Sequence, residues 1–218
     1  MQKKTFIRGG EGGIKSYSWT DAAQGLGYIT YYGVTDGTTN IISTEDLPSL
    51  LLMEKVAMSS AWTITDNNNW DLLYNLPQIV SGNLYVSQTV EHQGGNGEER
   101  IDANVYKVLS DNSTVLLASA SGVAFNFDQN SGSSASTKLL LSVPIPTTAF
   151  AIGEKIRVNL INYSHEGNDS ETYALIWKDG AGRGNSTYKQ KDPARANANL
   201  DFYNDTYLKF MVPYKVDL

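Results

Sequence analysis

Hydrophobic and polar positions alternate with a period of two along much of this chain, most cleanly over 207–218. The even positions there are Leu208, Phe210, Val212, Tyr214, Val216 and Leu218; the odd ones are Tyr207, Lys209, Met211, Pro213, Lys215 and Asp217. Successive side chains of a strand point to opposite faces, so this pattern predicts a strand with one buried face. So apolar a stretch is expected to be integral to a sheet, because left loose it would present a sticky surface. Pro213 has no N–H, which predicts an edge or a bulge at that point. At about 3.3 Å per residue the stretch exceeds a usual strand. Its distal part, 214–218, is therefore expected to bend at Pro213 or to finish its burial against another subunit.

The same reading predicts further strands. Residues 27–33 form an aromatic run bounded by Gly27 and Gly33, and Asp36-Gly37 turns the chain into a return strand over 39–43. Leu84, Val86 and Val90 are in register over 84–90. Ser110-Asp111-Asn112-Ser113 is a turn between strands 101–109 and 114–119, the clearest hairpin of the chain. The apolar run 139–143 reads as a buried strand ending before Pro144 and Pro146. Ile156, Val158 and Leu160 face inward over 155–163, and Tyr173, Leu175 and Trp177 alternate. Residues 45–60 are ambiguous; a short helix or irregular link is expected, followed by a strand over 56–65. The polar segments 66–71, 92–100 and 128–134 are expected to be loops. So is 179–205, whose length suggests a functional role. With about 8–10 strands, few helices and no internal repeat, the fold class is all-β: a two-sheet antiparallel sandwich of jelly-roll type. The Gly-rich segment 1–16 is expected to be a flexible arm, and 17–218 a single sandwich domain.

Composition narrows the function. The 218 residues suit one all-β domain or two small ones. Charged residues make up 18% of the chain, below the roughly 25% of an average domain. Polar work thus falls to Asn, Ser, Thr and Gly. A net charge of −6 opposes nucleic-acid binding. Lys178, Arg183, Lys189, Lys191 and Arg195 are close in sequence, but Asp179 and Asp192 interrupt them, and they read as a solvated loop. Without cysteine there is no disulfide framework and no thiolate metal site. The first residues lack the apolar run of a signal peptide, and no stretch reaches the roughly 18 apolar residues of a membrane span. Synthesis in a cytoplasm without a signal peptide, and no membrane contact, are expected.

No cluster of residues names a reaction. The two histidines, His92 and His165, lie in polar segments and are expected to be solvated; no G-x-S-x-G elbow is present. Asp66, Asn68 and Asp71, and likewise Asn168, Asp169 and Glu171, offer the oxygen ligands calcium prefers, yet read better as ordinary Asn/Asp turns. Glu91, Glu98, Glu99, Asp102 and Glu166 qualify as a glycosidase pair by type alone, and Glu98-Glu99-Arg100 reads as a solvated loop tip. No catalytic residue, cofactor or metal is expected, and the chain is expected not to be an enzyme. Aromatics are the stronger signal. Thirteen Tyr and four Trp exceed what a core of this size must hold, and exposed rings anchor interfaces or stack on sugars. Trp62, Trp70 and Trp177 read first as core. The expected interface residues are Trp19, Tyr31, Tyr32, Tyr214, Val216 and Leu218.

The opening Tyr17-Ser18-Trp19, the run 27–33, Asn75-Leu76-Pro77 with Gly82, the stretch 139–144 and the ending 208–215 together resemble a family. It is the Cys-free, Asn/Ser/Thr-rich jelly-roll structural proteins of virus particles, especially of tailed bacteriophages and environmental viruses. The resemblance implies a virion component: a capsid decoration, minor head or fibre-attached protein. It also implies assembly with copies of itself, often as a trimer, and with other virion proteins. It carries no catalytic residues. The alternative from the residues themselves is a carbohydrate- or receptor-binding sandwich module, with a glycan hydrolase on the same scaffold as a third reading.

Overall fold

Alternating burial shapes the long strands. On 155–166, Ile156, Val158, Leu160, Asn162 and Ser164 are buried and the residues between them are half-exposed. On 208–215, Leu208, Phe210, Val212 and Tyr214 go inward. The computed structural model describes residues 4–6, 15–17, 26–35, 38–44, 53–94, 96–127, 133–166, 173–177 and 208–215. In chain order the strands are β1 (Lys4–Phe6), β2 (Lys15–Tyr17), β3 (Leu26–Thr35), β4 (Asn40–Ser43), β5 (Met53–Ala57), β6 (Thr63–Leu73) and β7 (Gln78–Gly94). They continue with β8 (Gly97–Val108), β9 (Thr114–Ser121), β10 (Phe125–Phe127), β11 (Ser133–Phe150), β12 (Lys155–Glu166), β13 (Tyr173–Trp177) and β14 (Leu208–Lys215). Among the described residues there is no helix, and the fold is all-β.

Hydrogen bonding links these strands into one continuous sheet. β9 and β10 share one side of β8; β12, β6, β4, β3, β14 and β7 follow in order, and β11 covers the far side of β7. β13 pairs with the end of β7 and with β5, and β2 joins β1 to β3. Among the described residues every pairing is antiparallel except a single parallel bridge, Ile41↔Asp71, between β4 and β6. The sheet folds over so that β11 comes close to β8 and β9, and it nearly closes on itself like a barrel. One core lies inside. Ile101, Ala103, Val105, Ile156, Val158, Leu160 and Trp70 from the β8–β12–β6 half belong to the same cluster as Val86, Val90, Leu141, Val143, Phe210 and Val212 from the β14–β7–β11 half.

Several expected loops are strands. Residues 66–71 lie in the middle of β6, where ten residues of β12 pair along it. Asn67, Asn69 and Asp71 turn their polar side chains outward, while Trp70 points into the core at 1% exposure and Asn68 and Asp66 lie on its side of the strand, opposite Leu160 and Asn162. Residues 92–100 belong to β7 and β8, with only 95–96 between the strands. The expected strand over 56–65 is broken instead. β5 ends at Ala57 and β6 begins at Thr63, because the chain there leaves the neighbourhood of β13 for that of β12. The helix expected to start at 45 falls outside the described residues, as does the long segment 179–205. β11 runs through Pro144 and Pro146. Among the described residues it pairs with β7 alone, so a missing N–H on its outer side costs no ladder bond there. The expected irregularity at Pro213 is present: the β14–β7 register breaks between Met211 and Tyr214. Gly82, within the stretch of β7 that this break spans, has a φ of 114°, a conformation that favours glycine. Residues 216–218 lie outside the description.

Candidate binding surfaces

The two halves of the sheet present different outer faces. On the β3–β14–β7–β11 half, register places Tyr32, Lys209, Ser87 and Leu140 in one row, and Thr30, Met211, Tyr85 and Ser142 in the next. The Tyr28 and Tyr85 rings meet at 5.9 Å between centroids. Lys209 Nζ sits 5.5 Å from the centre of the Tyr32 ring, within range of a cation–π contact. Leu140 is 67% exposed and Met211 38%. The face is thus aromatic and aliphatic, with only a few charges.

Of the residues expected at an interface, Tyr32 is on this outer face. Tyr31 and Tyr214 are in their own chain's core: strand alternation turns them inward, where their hydroxyls bond each other at 2.6 Å. Tyr214 Oη also donates to Tyr74 Oη at 3.4 Å. Burial pushes the Tyr31 phenol up to about 12, and raises those of Tyr74 and Tyr214 as well. Trp19, Val216 and Leu218 lie outside the described residues.

On the β6–β12–β8–β9 half the outer face is polar, with one aromatic knot. Asp71 accepts from Arg157 through both oxygens, at 2.6 and 2.7 Å. An amide row crosses the strands. Asn159 Nδ2 donates to Asn67 Oδ1 at 2.7 Å, Asn104 Nδ2 to Asn159 Oδ1 at 3.4 Å, and Ser119 Oγ to Asn104 Oδ1 at 2.7 Å. Farther along β12, register sets Tyr163 beside Arg100 and His165 beside Glu98. Trp62, just before β6, stacks on His165 at 5.5 Å. The Arg100 guanidinium lies 5.4 Å from the Trp62 ring and 4.7 Å from the Tyr163 ring, and its Nε is 3.0 Å from Asp102 Oδ1.

Inside this end of the sheet the core turns polar. His92 is fully buried, not solvated as expected, and Glu99 is in β8, not at a loop tip. His92 Nδ1 and Glu99 Oε1 are 3.7 Å apart, and the imidazole stacks on Phe127 at 5.1 Å. Burial pushes the Glu99 carboxyl up to about 7, against the opposing pull of His92. Thr65, Asn162 and Ser164 are also buried here; Thr65 Oγ1 and Ser164 Oγ are hydrogen-bonded at 3.0 Å. Apolar alternation does not reveal these side chains, because here the inward positions are polar. Of the oxygen-rich calcium candidates, Asp66 accepts from Asn68, and Asn168, Asp169 and Glu171 lie outside the described residues. Among the described residues no group of His, Asp or Glu is arranged to hold a metal, and no helix is long and apolar enough to cross a membrane.

No family model and no curated protein sequence matches the chain. Solved structures do. A CocE/NonD family hydrolase from Staphylococcus aureus matches 93% of this chain over 39% of its own, at 10% identity and a TM-score of 0.55. An aminopeptidase from a marine-sediment Thaumarchaeota archaeon matches 85% of this chain over 36% of its own, at 9% identity and a TM-score of 0.50. The VP2 subviral particle of infectious bursal disease virus matches 99% of this chain over 43% of its own, at 11% identity and a TM-score of 0.31. The chain therefore spans less than half the length of each. What the first two share with it is the fold. They overturn the expectation that this chain is no enzyme: a β-fold without an evident catalytic cluster in its sequence does not exclude activity, since the same fold forms part of hydrolase and aminopeptidase chains.

Proposed function

We propose that this chain is a structural subunit of a virus particle that assembles with copies of itself through the outer face of β3, β14, β7 and β11. The observation that carries this reading is the set of aromatic and aliphatic side chains that Tyr32, Tyr28, Tyr85, Met211 and Leu140 place on that face across neighbouring rows. Tyrosine and methionine are enriched at the centres of protein interfaces, where charge is depleted. The resemblance of 27–33, 139–144 and 208–215 to jelly-roll virion proteins supports the same reading, and with it a capsid decoration or minor head role and a trimeric state. Tyr32 is the described member of the expected interface set that faces outward.

Sedimentation velocity across the micromolar range tests it. Wild-type protein is expected to sediment as a defined oligomer. Leu140→Asp with Met211→Asp should weaken association at least about tenfold without lowering the melting temperature, since both side chains point to solvent. A wild-type chain that stays monomeric throughout that range would sink the reading.

A further inference from the structure

We infer that the Trp62–Arg100–Tyr163 knot on the opposite outer face is a binding site for a neutral oligosaccharide, with the Trp62 indole as its stacking platform. This site is separate from the assembly face and does not depend on it. Trp62 keeps 40% of its surface in solvent while touching both His165 and Arg100. Part of the residue is therefore open to solvent, while the contacts with His165 and Arg100 restrain the ring. Arg100 is itself held, by the Tyr163 ring and by Asp102. An aromatic plane with its orientation set in advance loses little entropy on binding. The apolar C–H face of a sugar ring fits such a plane. The guanidinium of Arg100 and the carboxylate of Asp102 stand beside it as donor and acceptor for hydroxyls.

The rest of the face suits the same ligand. Four residues along β12 from Tyr163, about 13 Å away, lies Asn159 in the amide row with Asn67, Asn104 and Ser119. Each amide has donor and acceptor capacity beyond the bonds in that row. An oligosaccharide laid from Trp62 along β12 would reach it. A nucleic acid, which also stacks on aromatics, fits less well. Glu98 lies beside His165 across the strands and Asp102 is paired with Arg100, and the chain carries a net charge of −6; these negative charges oppose a phosphate backbone.

The test is a printed array of neutral and acidic oligosaccharides probed with the full chain. Titration calorimetry on the strongest neutral hit follows, with oligodeoxythymidine as a competing arm. Neutral glycans are expected to bind. Trp62→Ala should then lose about tenfold or more in affinity, with Trp62→Phe intermediate and Arg100→Gln weakened. The assembly-face change Leu140→Asp should leave binding of a single glycan unchanged. If Trp62→Ala fails to melt like wild type, Trp62→Phe and Arg100→Gln decide. No glycan bound, affinity unaltered in these variants, or oligodeoxythymidine preferred over every glycan would each overturn the inference.

Discussion

Glu99 has its carboxyl enclosed by its own strand and by His92 from β7. Burial raises its folded value to about 7, from 4.5 for the free group. The folded state therefore holds this proton more tightly than the unfolded chain between those two values. The stability it confers is complete below pH 4.5, falls as pH rises through the window, and is lost above about 7. In Glu99→Gln this component should disappear. Urea midpoints measured from pH 4.5 to 8 should then decline less steeply than in wild type; parallel curves would show that Glu99 carries no such proton. The residue is invisible as a buried group in sequence. Glu98-Glu99-Arg100 reads as charge in a Gly-rich stretch, and only the burial of Glu99 beside His92 reverses that reading.

Among the elements, β6 shows how far a pattern can mislead. Its centre, Asp66 to Asp71, has the composition of a turn, yet it is paired on β12 through ten residues. Local preference for a turn is overridden because the ladder satisfies the backbone while Asn67, Asn159 and Asn104 satisfy one another across the strands. Asn159→Leu, which breaks both of its amide bonds on that row, is expected to cost about 1–2 kcal/mol. In a double-mutant cycle by urea denaturation, Asn67→Leu should then add little. Full additivity would mean the row is not cooperative. Elements whose inward positions are aliphatic were legible. β12, β14 and the β8–β9 hairpin fall where alternation places them, and Asn112 takes the positive φ, 65°, that its turn requires.

For the whole molecule, the decisive contact is between halves that are far apart along the sheet. The Trp70 ring of β6 meets Phe210 of β14 at 6.0 Å, and both sit in the one core cluster. Trp70→Ala is expected to cost about 3–5 kcal/mol, a large share of the roughly 5–15 kcal/mol that holds a typical domain folded. Because the core is shared, the loss should appear as an earlier single transition by both tryptophan fluorescence and circular dichroism; two separated transitions would mean that the halves unfold independently. The sequence by itself determined the all-β class, the inward faces of the aliphatic strands and the break at Pro213. Each of these follows from the period of two and from a missing N–H, both local properties. Only the tertiary structure decided that the strands join one nearly closed sheet, that Tyr31 and Tyr214 turn inward while Tyr32 faces out, and that Trp62 lies on His165 and Arg100. Those outcomes depend on pairings between residues up to 183 positions apart, and no local pattern encodes which distant strand will supply the neighbour.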